Sequence, residues 1–129
     1  MIQNKKVHTL LHTFFWLWFV FILVMMIIPT AGIPMYDFPH LDKIIHFGLF
    51  TILGFLFVGT RQQPEKLFQI VKENRYTYLL LLYAISLEMI QTLIAYRSFE
   101  FLDSLTNGLG IISGIIIGQH GFRWVFQNF

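Results

Sequence analysis

The stretch Leu10–Ile28, LLHTFFWLWFVFILVMMII, decides the fold, because Phe14–Ile28 within it is fifteen consecutive apolar residues. A core helix of a soluble domain keeps one polar face, and this run has none. A helix needs ~20 residues, within about 17–25, to cross a ~30 Å hydrocarbon layer. Three further segments read the same way. Ile44–Thr60 contains no formal charge, Tyr76–Tyr96 is interrupted only by Glu88, and Ser104–Phe122 lacks Asp, Glu, Lys and Arg. Lipid offers no partner to an open backbone amide or carbonyl, so each segment must be helical. The expectation is an all-α membrane protein, a four-transmembrane-helix bundle over 1–129 as one domain, with helices at about 10–28, 44–60, 76–96 and 104–122. The first segment also has the outline of a signal peptide, a basic start and an apolar middle followed by Pro29-Thr30-Ala31-Gly32. Cleavage after Ala31 would put Pro29 where a small residue belongs, and the run is long for a signal core, so a retained helix is expected.

Composition agrees. Of 129 residues, 56% are hydrophobic and 12% charged, against about 45–50% and ~25% in soluble domains. So little polar material cannot cover a water-facing surface. The absence of cysteine excludes disulfides, thiolate zinc sites and a Cys nucleophile. A net charge of +2 is too small and scattered for a nucleic-acid surface.

The cations set an orientation. Lys5, Lys6, Arg61, Lys66, Lys72, Arg75 and Arg123 fall on one side of the expected spans, and Lys43 and Arg97 on the other. The positive-inside rule then puts both termini and the 61–75 loop in the cytoplasm. In that loop, Pro64 followed by Leu67, Phe68, Ile70 and Val71 suggests a short helix on the inner leaflet, with a simple amphipathic connector as the plainer and preferred reading. Trp16, Trp18, Tyr76, Tyr78 and Trp124 suit the inner headgroup belt.

A polar set remains on the outer side. Asp42, Lys43 and His46 open the second helix, Glu88 and Gln91 lie in the third, Arg97 follows it, and Asp103 and Asn107 open the fourth. Asp42/His46, Glu88/Gln91 and Asp103/Asn107 are spaced three or four residues apart, so each set shares a helix face. A lipid-facing carboxylate costs at least ~2.5–3.5 kcal/mol. Glu88, expected near the bilayer middle, should therefore face the bundle interior, at the floor of a funnel open to the outside. Taken singly these residues have plainer roles. Asp42 and Asp103 suit helix N-caps, Lys43 and Arg97 interfacial anchors, and Gln91 and Asn107 interhelical hydrogen bonds. His8, His12, His40 and His120 read as structural. Gly110, Gly114 and Gly118 form a small-residue ridge for close approach of another helix within the bundle.

Asp42-Lys43-x-x-His46-Phe47, Glu88-x-x-Gln91, Arg97-Ser98-Phe99 and Asp103-x-x-x-Asn107-x-x-Gly110-x-x-x-Gly114, taken in order, resemble the VanZ-like family of bacterial membrane proteins. The likeness spans residues 42–114. It departs from the family's usual pattern at Ala95-Tyr96, where many relatives have a proline, and at Glu100, where Asp is common. The resemblance implies residence in a bacterial cytoplasmic membrane, and an association of the family's name-giving members with reduced teicoplanin susceptibility.

The residues themselves suggest chemistry. Two helix N-termini, Lys43 and Arg97 favour an anionic ligand, either a lipid headgroup or a lipid-linked cell-envelope precursor. His46 is the candidate base, steadied by Asp42 or Asp103, and Glu88 the buried acid. Lys43 and Arg97 would clamp the anion, while Gln91 and Asn107 orient it. The alternatives are a non-catalytic binder and a small proton-coupled transporter. The latter is disfavoured because the inner halves of the helices show no polar track. No cofactor motif is present. A divalent cation held by His46, Glu88 and Asp103 is the one candidate, without a zinc-type ligand spacing to support it. Nothing in the sequence sets the oligomeric state.

Overall fold

The structure, a computed structural model, describes residues 5–27, 41–61, 75–94 and 101–128, with side chains at 43–61 and 101–124 in the second and fourth of these. They form α1 (Lys5–Ile27), α2 (Leu41–Gly59), α3 (Arg75–Ile94) and α4 (Phe101–Asn128), and no strand occurs among them. The expected four-helix architecture is therefore present. The ends differ from expectation: α1 begins five residues earlier, at Lys5, and α4 runs from Phe101 to Asn128. The expected helix in the 61–75 loop falls largely outside the described residues.

Three helices are long and apolar enough to cross a membrane, and the first of them, Lys5–Ile27, reaches a mean hydropathy of 2.3. The corresponding stretch of α2, Lys43–Gly59, is shorter. With 19 residues, at ~1.5 Å rise per residue, α2 still spans about 28 Å.

The helices form a ring in the order α1, α2, α4, α3. Neighbouring contacts give their directions. Trp18 Nε1 donates to the Leu49 carbonyl at 2.9 Å, and His8 Nε2 to the Thr60 carbonyl at 2.9 Å, so α1 and α2 are antiparallel. Phe19 stacks on Tyr83 at 3.9 Å between ring centroids, and the starts of both helices meet the end of α2, His8 at Thr60 and Tyr76 at Arg61, so α1 and α3 run together. Gly110, Gly114 and Gly118 of α4 approach Phe47, Thr51 and Val58 of α2 in ascending order, so that pair is parallel too. α2 and α4 thus begin at the same end of the bundle.

The α2–α4 seam is the tightest in the molecule. A Cβ on Gly114 would run into the Thr51 carbonyl and come within 2.8 Å of the Phe55 amide nitrogen. A Cβ on Gly54 of α2 would meet the Ile111 carbonyl, and one on Gly110 would stand 2.8 Å from the Phe47 carbonyl. Glycine is needed because backbone lies against backbone, and such approach is what holds helices together where lipid removes the hydrophobic drive. The expected ridge is therefore an internal seam. Between the helices, Ile22, Phe50, Leu53, Leu87, Ile111 and Ile115 are fully buried. Thr51, Ser86, Thr92 and Thr106 return their hydroxyls to carbonyls four residues back, which satisfies them without water.

Candidate functional site

On α3 the buried positions Thr77, Leu80, Ala84, Leu87, Glu88 and Gln91 repeat at three and four residues, so Glu88 and Gln91 are turned inward by the same face that carries the core. On α4 the buried stripe begins with Asp103 and Asn107 and continues through the glycine ridge. On α2 it begins at His46. His46, Asn107 and Glu88 each lie five or six residues inside the end of their helix, about 8–9 Å by the helical rise. They meet at one level. Glu88 consequently sits in the third of α3 next to Ile94, nearer that end than the bilayer middle expected for it.

The three side chains form one network. His46 Nδ1 donates to Asn107 Oδ1 at 3.1 Å, and Asn107 Nδ2 donates to Glu88 Oε1 at 3.1 Å. His46 Nδ1 also lies 3.3 Å from Glu88 Oε1, an ion pair whenever the imidazole is protonated. The amide of Asn107 thus accepts from one partner and donates to the other. Two acceptors facing Nδ1 place a proton on that nitrogen. Exposure is 3% at His46 and Glu88 and zero at Asn107, so all three are removed from solvent. A buried group with no partner costs about 1–3 kcal/mol, and here each supplies the other's.

Beside this network, Lys43 Nζ donates to Asp103 Oδ1 at 3.0 Å. Asp103 was expected to cap α4 or to steady His46. With α4 starting at Phe101, it falls within the first turn rather than at the cap. Its carboxylate engages Lys43, and the carboxylate on His46 Nδ1 belongs to Glu88. Gln91 is buried on the face it shares with Glu88. Asp42 lies in the first turn of α2, but its side chain and all of Arg97 are outside the described residues. Among the described residues no three His, Asp or Glu side chains form a group that could hold a metal ion.

A family model described as VanZ/LLP1 matches residues 3–122 of the chain. The chain belongs to the VanZ/LLP1 family. No curated protein and no solved structure matches it. The match takes in the first three helices of this VanZ/LLP1 chain and α4 as far as Phe122, where the motifs in its sequence reached only from 42 to 114.

The VanZ/LLP1 bundle also holds polar groups that sequence reading passed over. Ser104 carries a buried hydroxyl with no hydrogen-bond partner among the described residues. At the end remote from His46, a cavity of about 870 Å³ lies between α1, α2 and α3, with His8, His12, Thr60 and Arg61 among its lining residues. His8 and His12, read from the sequence as structural, thus line one cavity with Thr60 and Arg61. The spacing of His8 and His12, one helical turn apart, was the available signal.

Proposed function

We propose that this VanZ/LLP1 protein resides in a bacterial cytoplasmic membrane and acts at its outer face on an anionic lipid headgroup or lipid-linked cell-envelope precursor. His46 and Glu88 are its proton-transfer pair. The orientation follows from the cation distribution. The observation that carries the reading is the buried contact of His46 Nδ1 with Glu88 Oε1, bridged by Asn107. An imidazole and a carboxylate within hydrogen-bond reach of one another, shielded from water, can pass a proton to or from a bound group. The common origin of α2 and α4 aims two positive helix ends at this face. Lys43, with a side chain 27% exposed, can meet an anion while it holds Asp103. Arg97 completes the clamp, and Gln91 and Asn107 orient the ligand.

The test compares lipid extracts by mass spectrometry from cells carrying the wild type, His46→Ala or Glu88→Gln at matched expression. A lipid species that changes only with the wild type supports turnover. If both variants reproduce the wild-type lipid profile and its teicoplanin susceptibility, the proton-transfer assignment is wrong. A second reading, binding without chemistry, is favoured by the full burial of Asn107, because a network closed on itself also serves to lock three helices in register. That reading expects an unchanged lipid profile with an anionic lipid retained through purification.

A further inference from the structure

We infer that the cavity at the opposite end of the bundle is a second ligand site, for an anionic amphiphile with one acyl chain. Its volume of about 870 Å³ falls within the ~300–1,000 Å³ of small-molecule sites. Phe15, Phe19, Phe57, Leu80 and Tyr83 wall it, and such a surface suits a hydrocarbon chain. Trp16 and Leu79 also line it, yet are 57% and 55% exposed, so the cavity reaches the lipid-facing surface and a chain can enter sideways.

The polar end selects the headgroup. The Arg61 guanidinium stands 4.7 Å from the Phe57 ring centre and 4.9 Å from that of Tyr76. Held by two aromatic rings, it keeps a weakly hydrated charge at the cavity's edge. The His8 and His12 rings lie edge to face at 4.5 Å, and His8 is fixed by its bond to the Thr60 carbonyl. Lys5, Lys6 and Arg75 occupy the same end. The acidic side chains described, Glu88 and Asp103, are both at the other end. Glu65 and Glu73 belong to 62–74, outside the described residues. A phosphate or a carboxylate on a single chain meets this combination; a choline headgroup does not.

The site does not depend on the headgroup reading of the His46 network, and its test is separate. Trp16 is the probe. With Trp18→Phe and Trp124→Phe, it is the one indole left in the chain. The purified protein in neutral detergent is titrated with three dibrominated ligands: stearic acid, lysophosphatidic acid and lysophosphatidylcholine. Quenching should saturate, with at least one anionic ligand tenfold or more tighter than the choline ligand, and the first two arms separate carboxylate from phosphate. Arg61→Gln should reduce that preference to within twofold, and Glu88→Gln should leave it intact. Should the Trp variants fail to fold, the same preference is read in the wild type as a ligand-dependent rise in melting temperature. Equal quenching by all three ligands, or a preference indifferent to Arg61→Gln, overturns the proposal. So does quenching that develops only after Phe68→Asp, which would give the cavity to the chain's own 62–74 segment.

Discussion

The two parallel helix pairs of this bundle are joined in opposite ways. Along α2–α4, glycines bring one backbone onto the other, and Gly54 and Gly114 each face a carbonyl across the seam. Along α1–α3, large rings keep the backbones apart: Phe19 stacks on Tyr83, and Tyr83 Oη donates to the Phe19 carbonyl at 2.7 Å. The first seam has no room for a ligand and holds the bundle's one buried network of His, Asn and Glu among the described residues. The second leaves a cavity beside it. In lipid the apolar effect does not distinguish these seams, since hydrocarbon surrounds both. Shape does. Small residues bring backbone onto backbone and leave no void, and aromatic spacers give a compartment.

The comparison breaks most severely at Gly114. Gly114→Leu should push α2 and α4 apart and cost more than ~3 kcal/mol, beyond the usual 1–3 kcal/mol of overpacking, because backbone cannot move aside like a rotamer. Gly48→Leu is the control, since a Cβ there meets nothing within 4 Å. Thermal melts in detergent should separate the two by well over ten degrees; equal melting would mean that the glycine seam is not what holds the pair. Next comes Asn107→Leu, which deletes both bridging bonds and leaves His46 and Glu88 with only their 3.3 Å contact to each other. A loss of about 1–2 kcal/mol is expected, since two bonds are removed and membrane hydrogen bonds average ~0.6 kcal/mol each. Unchanged melting there would remove the network's structural part.

Much of this contrast was legible before any coordinates. Fifteen apolar residues in a row point to a membrane helix, and Gly110, Gly114 and Gly118, four residues apart, fall on one helix face. The inward turn of Glu88 followed from the cost of a charge in lipid. What could not be read was which polar group meets which. Asp42 and Asp103 were the candidates to steady His46, yet Asn107 and Glu88 are the groups that face it; the choice depends on the ring order and on how far each helix is rotated, neither of which a single helix encodes. A start of α4 three residues earlier than expected was enough to move Asp103 from cap to first turn and hand it to Lys43. The cavity was harder still, because a void is a property of three helices that fail to close, and His8 and His12 look ordinary on one.

The aromatic seam should answer more gently. Tyr83→Phe keeps the ring stack and removes the bond to Phe19, so about 0.6 kcal/mol is expected, the membrane average for one such bond. A much larger loss would show that the hydroxyl, rather than the ring, sets the spacing of α1 and α3.

The smallest effect on stability belongs to Lys43→Met, and it separates folding from function. The Lys43–Asp103 pair is partly exposed, so its net worth is on the order of 0–1 kcal/mol. Whatever it contributes should fade as salt is raised, because the Debye length shortens from ~10 Å at 0.1 M to ~3 Å at 1 M. Methionine preserves the length of the stem and its packing, so melting should shift little and should lose its salt dependence at this site. Binding of an anionic lipid should fall far more than stability, since the cation is removed while Asp103 and Glu88 remain to repel the ligand. If Lys43→Met melts early yet binds anionic lipid as the wild type does, then Lys43 serves the fold alone. The anion must then be held by other groups at that end of the bundle.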